Sequence, residues 1–270
     1  MGRRIGIVAG SGRFVATAVS DLRRRGLRSV VLGIEGKTRP EVKKTAEVFA
    51  AVMPGEIGKA LAFFKDNDIS EIMFLGKVEP GVIFKPQFLD ADARKLLRGI
   101  SGRSAPAILE AVFGFLEAGG LKVLNPASLL ESYFCSPGVL TRMTPSPDTL
   151  GDVDFGLRIA RRIADLEIGQ TLVVKSGSIV AVEGIEGTDI AIRRGGRLAG
   201  PGFVVVKAGR TAQDLRIDVP AVGLDTVRTF VRAGGAALGI EAAKVAFFQR
   251  DAAVALANAH GAVIVARALD

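Results

Sequence analysis

Three carboxylates, Glu183, Glu186 and Asp189, crowd into the string Glu-Gly-Ile-Glu-Gly-Thr-Asp directly after a strand-like run. A fourth, Asp218, follows in Arg216-Ile217-Asp218-Val219-Pro220-Ala221-Val222-Gly223. Carboxylates at the ends of strands are a common way for α/β proteins to hold a hard divalent cation against a phosphate. The rest of the composition narrows the chemistry. The only histidine is His260 and the only cysteine is Cys135. That pair cannot build a zinc site from the usual ligands, and a dinuclear metallophosphatase needs several histidines. A Ser-His-Asp relay would have to run through His260, which has no partner in view and is expected in the last helix or its cap. No glutamate-rich helix of the Nudix kind is present. Carboxylates, lysines, arginines and backbone N–H groups remain. Asp and Glu without His favour Mg²⁺, which takes one or two protein carboxylates and completes its shell with water and substrate phosphate. Asp218, Asp189, Glu186 and Glu183 are its candidates. Pro220 restrains the backbone just after Asp218, as suits a side chain that must hold one geometry. Asp152 and Asp154 lie on a helical stretch and are expected to cap or solvate its first turn.

At the amino end, Gly10-Ser11-Gly12 follows a strand and opens a helix. Exposed amides and the positive end of a helix dipole can seat an anion there. A dinucleotide fingerprint wants a third small residue where Val15 stands, and only Glu35 offers an acid at the end of the second strand. A phosphate or sugar contact, a nicotinamide site and a plain structural turn all stay open. Gly36-Lys37-Thr38 imitates the end of a P-loop, but Val31 occupies the first glycine position and Arg39-Pro40 interrupts the helix. Lys77, after Gly76, stands at the carboxyl edge of a strand and is either a ligand contact or a solvated lysine.

These residues need a scaffold, and the apolar pattern supplies one. Strands are predicted at 4–8, 29–34, 69–75 and 122–124. Helices are predicted at 14–25, 58–65, 90–98 and 104–117, with a short one opening at Pro40. Strand alternating with helix implies a Rossmann-like parallel sheet covered on both faces. Pro137, Pro145 and Pro147 then mark 135–147 as a linker between domains 1–134 and 148–270. The second domain reads as a mixed-sheet α/β unit. It has a long helix at 148–165 and a hairpin of 171–175 with 179–183 around Ser176-Gly177-Ser178. Strands follow at 203–207, 245–248 and 262–266, and helices at 225–233 and 252–259.

Apolar residues make up 49% of the 270 residues, and the mean hydropathy is +0.34. That is enough for two cores, yet no apolar run is long enough to span a bilayer. Arg3, Arg4 and the following apolar stretch faintly mimic a secretion signal, but the Gly10–Arg13 turn cuts it, so a first strand is expected instead. A lone cysteine forbids an internal disulfide and fits a reducing, cytoplasmic setting. The net charge of +8 suits anionic partners such as phosphates or lipid headgroups. No nucleic-acid motif accompanies it, and a homodimer is left open.

Several blocks together resemble the LpxI-type UDP-2,3-diacylglucosamine pyrophosphatases. They are Ile5-Gly6-Ile7-Val8-Ala9-Gly10-Ser11-Gly12, Gly76-Lys77-Val78, Asp165-Leu166-Glu167-Ile168-Gly169-Gln170, Ala181-Val182-Glu183, Glu186-Gly187-Thr188-Asp189 and Asp218-Val219-Pro220 with Gly223. Their order matches and they span nearly the whole chain. The resemblance implies a Mg²⁺-dependent enzyme of lipid A biosynthesis that acts at the cytoplasmic side of the inner membrane, in peripheral contact with its lipid. It would split UDP-2,3-diacylglucosamine into UMP and 2,3-diacylglucosamine 1-phosphate, with the substrate held between the two domains. It makes Asp218 the essential acid. Glu186 and Asp189 are expected beside it in catalysis and metal binding. Gly10, Ser11, Gly12, Lys77, Gln170, Thr188 and Lys207 are the expected substrate contacts. Two other classes stay in view: a nucleotide-dependent oxidoreductase and a non-catalytic carrier of lipid or nucleotide.

Overall fold

The computed structural model describes residues 3–12, 14–76, 86–100 and 105–269. The chain forms two compact units. The first is Met1–Leu129 with Asp214–Val219; the second is Leu130–Gln213 with Pro220–Asp270. The segment that carries Asp218 therefore belongs to the amino-terminal unit, although it lies deep in the carboxyl-terminal half of the sequence.

The first unit runs β1 (Arg4–Ala9), α1 (Phe14–Arg24), β2 (Arg28–Ile34), α2 (Pro40–Thr45), β3 (Val48–Val52), α3 (Ile57–Asp66), β4 (Glu71–Leu75), α4 (Ala91–Gly99), α5 (Ala105–Ala118) and β5 (Lys122–Val123). Its strands form one parallel sheet in the order β3-β2-β1-β4-β5. β1 and β2 are buried almost throughout, as continuous apolar runs must be in a sheet covered on both faces. Alternate residues divide between those faces. Val8, Leu32 and Phe74 lie in register across three strands and join Leu109, Phe113 and Leu116 of α5 in one core. Asp90 caps α4 by accepting from the Ala93 N–H at 2.8 Å, and it also takes the Gly58 N–H of α3 at 2.7 Å.

A short helix α6 (Ala127–Leu130) leads into the second unit. It continues with β6 (Gly138–Val139), α7 (Pro147–Asp165), β7 (Thr171–Lys175), β8 (Ser178–Val182), α8 (Thr188–Ala199), β9 (Phe203–Lys207), β10 (Ala221–Gly223), α9 (Leu224–Arg232), β11 (Gly235–Glu241), β12 (Ala246–Phe248), α10 (Arg250–Ala259) and β13 (Val263–Arg267). The six-stranded sheet has the order β6-β13-β11-β9-β7-β8; β9, β11 and β13 are parallel, and β6 and the β7–β8 hairpin complete it through antiparallel pairings. β10 and β12 form a separate parallel pair. Val153, Leu157 and Ala160 of α7 cover one face of the sheet. Ile192 of α8, Phe230 of α9 and Ala253 of α10 cover the other. Both expected fold classes are present: a Rossmann-like parallel sheet and a mixed-sheet α/β unit.

Three local expectations need correction. Within 135–147, Gly138–Val139 pairs with β13, and Pro147 is the first residue of α7, capped by Ser146. Thr188 and Asp189, read only as following a strand, begin a helix that the apolar pattern does not predict. Asp152 does not cap its own helix. It accepts from the Ser176 and Gly177 N–H groups of the hairpin turn at 2.8 and 2.6 Å, while Asp154 pairs with Arg267 at 2.8 Å. Ser146 already fills the cap, which frees both acids for partners across the fold.

Candidate functional site

In the second unit the sheet register builds a polar cluster. Thr171 at the start of β7 pairs with Lys207 at the end of β9, so the two side chains stand on the same face. That is the face covered by α8, and Thr188 in the first turn of α8 completes the group. Lys207 is only 6% exposed. Its Nζ donates to Thr188 Oγ1 at 2.8 Å and to Thr171 Oγ1 at 3.2 Å. Glu183, one residue past β8, lies 3.7 Å away, which is a charge contact rather than a hydrogen bond. Glu183 in turn accepts the Thr188 hydroxyl at 2.8 Å and the Gln170 N–H at 3.4 Å. Burial by itself would raise the Glu183 pKa. The Lys207 charge, the two threonine hydroxyls and the Gln170 amide outweigh it, and the carboxyl is held below its ordinary value. Lys207, expected as a substrate contact, thus has its charge balanced inside the protein.

Glu186 is placed differently. One carboxylate oxygen accepts from Arg194 at 2.6 Å and the other from the Gly184 N–H at 3.0 Å. The Arg194 bond is the main reason its pKa is lowered. A guanidinium this close opposes a divalent cation at the same carboxylate. Asp189 is half-buried in the first turn of α8, where the helix dipole favours its charge.

The string Asp165 to Gln170 has a role that sequence reading did not assign. Asp165 accepts the Thr211 N–H at 2.7 Å and the Thr211 hydroxyl at 2.8 Å, and the first of these is the main cause of its lowered pKa. Glu167 pairs with Arg210 at 2.9 Å. Gly169 passes so close to β8 that a Cβ there would lie 2.0 Å from the Glu183 carbonyl oxygen. From β11, Glu241 accepts the Gly209 N–H at 3.0 Å and a bond from Arg161, while Lys244 holds the Arg210 carbonyl at 2.9 Å. Residues 209–211 are therefore clamped from three sides, immediately before the chain enters the first unit.

There, Asp214 and Arg216 form a two-pronged pair, with nitrogen–oxygen distances of 3.1 and 2.7 Å. That pair lowers the Asp214 pKa and raises that of Arg216. The Arg216 guanidinium lies 5.4 Å from the ring centre of Phe113 on α5, and Ile217 packs into the core beneath. Asp218 is half-buried; its N–H reaches the Asp214 carbonyl at 3.3 Å, and Val219 and Pro220 after it are buried. The only sequence signal for this seat was one isoleucine in a polar turn.

Gly10, Ser11 and Gly12 follow β1 at the carboxyl edge of the parallel sheet, next to the point where strand order reverses. The Gly10 N–H donates to the Leu75 carbonyl at 2.8 Å, so it is not offered to an anion. Lys77 lies outside the described residues. His260 ends α10 as expected, exposed, with Nδ1 3.0 Å from the Leu256 carbonyl. Among the described residues, no three His, Cys, Asp or Glu side chains gather closely enough to hold a metal ion by themselves. Magnesium bound through one or two carboxylates and substrate oxygens needs no such cluster. Asp218 and Asp189 have the chemistry for that mode; Glu186, neutralised by Arg194, fits it poorly.

Comparison with known proteins places the chain. UDP-2,3-diacylglucosamine pyrophosphatase LpxI of Caulobacter vibrioides is 28% identical over 278 residues, covering 97% of each chain. Among solved structures, UDP-glucose 4-epimerase of Stenotrophomonas maltophila, with bound NAD, matches 43% of this chain and 34% of its own at 15% identity and a TM-score of 0.29. The Thermus thermophilus enzyme, also with NAD, matches 53% and 41% at 21% identity and a TM-score of 0.28. This chain thus spans well under half of those epimerases, and scores so low carry no argument. The model of the LpxI N-terminal domain matches residues 4–133 and that of the LpxI C-terminal domain residues 136–265. With both halves matched in order over nearly its full length, this chain belongs to the LpxI family.

Proposed function

We propose that this chain hydrolyses the phosphoanhydride of UDP-2,3-diacylglucosamine to give UMP and 2,3-diacylglucosamine 1-phosphate, as a step in lipid A biosynthesis. The observation that carries this reading is the end-to-end match to a relative named for that activity, across both family domains. The site supports it in kind. It offers half-buried carboxylates, the buried Lys207 and backbone amides, and no histidine or thiol chemistry.

In this reading Asp218 is the essential acid, with Asp189 as second carboxylate. These are the residues that would hold Mg²⁺, which when bound polarises a phosphoryl oxygen and makes water a better nucleophile. Asp218 is kept in one geometry from both sides, by the Asp214–Arg216 pair before it and the buried Val219-Pro220 after it. Thr188 and Gln170 present polar groups to the sugar nucleotide, and Lys207 with Glu183 fixes the Thr188 hydroxyl. In the parallel-sheet unit, Ser11 and Gly12 are the further proposed substrate contacts. No helix among the described residues is long and apolar enough to cross a membrane. The reading places the enzyme on the cytoplasmic face of the inner membrane in peripheral contact with lipid, the source of its diacyl substrate.

The test is incubation with UDP-2,3-diacylglucosamine and Mg²⁺, with and without chelator, following UMP. UMP release that the chelator abolishes is the expected outcome. Asp218→Asn should keep its circular dichroism spectrum and lose turnover by orders of magnitude. Near wild-type turnover in that variant removes Asp218 from the chemistry.

A further inference from the structure

The parallel-sheet unit contains an apolar cavity of about 60 Å³ that no part of the proposed chemistry uses. Its floor is a single row of the sheet: Phe74, Val8 and Leu32 face one another in register across β4, β1 and β2. Its roof is Ile57 of α3 with Leu109 and Val112 of α5. These floor residues lie in the carboxyl-terminal halves of their strands, the edge at which open α/β sheets bind their ligands. Of the described residues around it only Glu56 is charged, and that carboxylate is engaged by the Met53 N–H at 2.9 Å and by Lys59. The same helix α5 seats the Asp218 segment, through Phe113 under Arg216 and the core around Ile217.

We propose that this cavity receives the end of one fatty-acyl chain of the substrate. The inference rests on the diacyl substrate of the proposed function and adds where that substrate is measured for length. A uracil or sugar ring is excluded as occupant, because its polar atoms would find no free partner here and buried unpaired polar groups are costly. Water is excluded on the same ground, since apolar cavities stay dry. An alkyl chain needs no partner. About 60 Å³ has room for roughly four water-sized spheres, and so for at most about four methylenes without rearrangement. Each methylene taken from water tightens binding about fourfold, so the cavity distinguishes long from short chains by up to about 200-fold. Because its roof is the seat of the Asp218 segment, a chain that fills it also supports that segment.

The experiment uses the reaction product, 2,3-diacylglucosamine 1-phosphate, which is not turned over. It is titrated in dimyristoyl and diacetyl forms into protein with labelled Ile, Leu and Val methyl groups. The expected result is that the dimyristoyl form shifts the methyls of Ile57, Leu109 and Val112 while the diacetyl form leaves them in place. Ala60→Phe, which puts a ring into the cavity from α3, should weaken the dimyristoyl form at least tenfold and spare the diacetyl form. Unmoved cavity methyls at saturating dimyristoyl lipid overturn the inference, whether or not that variant folds. UMP release from wild type with unmoved methyls sinks only the inference. Shifted methyls without UMP release sink only the hydrolase reading.

Discussion

Glu183→Gln tests the polar cluster of the second unit directly. The carboxylate balances Lys207 at 3.7 Å and accepts the Thr188 hydroxyl at 2.8 Å, with Lys207 only 6% exposed. Removing one partner of a buried pair typically costs about 3–5 kcal/mol, because the other charge is left buried. Here Gln keeps an acceptor, and the Thr171 and Thr188 oxygens still receive Lys207, so about 2–3 kcal/mol is expected. For a unit of this size that lowers Tm by about 8–12 °C. The cause can be separated from lost packing by adding Lys207→Met, which removes the buried charge that Glu183→Gln leaves unbalanced. The double variant should return to within about 1 kcal/mol of wild type. The pH dependence has a definite sign. Glu183 titrates in the folded protein below its ordinary 4.5, so its contribution is complete above that value and is lost as pH falls through the folded pKa. The gap between wild type and Glu183→Gln should therefore shrink only in acid. Urea unfolding followed by circular dichroism measures all three. A loss under about 0.5 kcal/mol at neutral pH, or no recovery in the double variant, refutes the idea that Glu183 holds the Lys207 charge.

Two further variants probe how the site is positioned. Gly169→Ala places a methyl 2.0 Å from the Glu183 carbonyl oxygen, and the chain must shift. About 3 kcal/mol of destabilisation is expected by calorimetry, with a parallel loss of UMP release; a normal melting curve contradicts the close approach. Arg216→Ala removes both the Asp214 fork and the contact with Phe113. Both groups are about a third exposed, so stability should fall by only about 1 kcal/mol. Loosening Asp218 should nevertheless lower kcat about 10- to 100-fold with KM little changed. Arg216→Lys, which keeps the charge but not the fork, should recover only part of that; full recovery means that charge alone matters.

The elements most legible in the sequence are those whose apolar residues recur without interruption. β1, β2, β7, β9 and α7 lie within a residue or so of their expected bounds. α8 went unseen because Gly195-Gly196 lowers helix propensity in its middle. The fold explains that choice. A Cβ on Gly195 would come 2.5 Å from the Val173 side chain, so the glycine lets α8 lie directly on β7 and brings Thr188 to Lys207. β11 hides for a related reason: its Gly235, Ala236, Ala237 and Gly239 have little strand propensity of their own. The chemistry-bearing residues were legible as types, and the network around them was not. Arg194, Glu241, Lys244 and Asp214 act through partners between 2 and 80 positions away, and no local spacing announces such pairings.

The Asp218 segment shows why motif order alone could not place its acid. By sequence it belongs to the carboxyl-terminal half, yet by contact Asp214–Val219 belongs to the parallel-sheet unit. What makes the exchange stable is a clamp at each end. Asp165, Glu167, Glu241 and Lys244 hold residues 209–211 on the second unit, and the Pro220 carbonyl accepts the Ala246 N–H there at 2.8 Å. Between those anchors, Arg216 over Phe113 and Ile217 in the core fix the intervening residues to the first unit. The string Asp165 to Gln170 and the string around Asp218 are therefore one device. The first sets where the second leaves the mixed sheet, and its Gly169 and Gln170 at the same time frame Glu183.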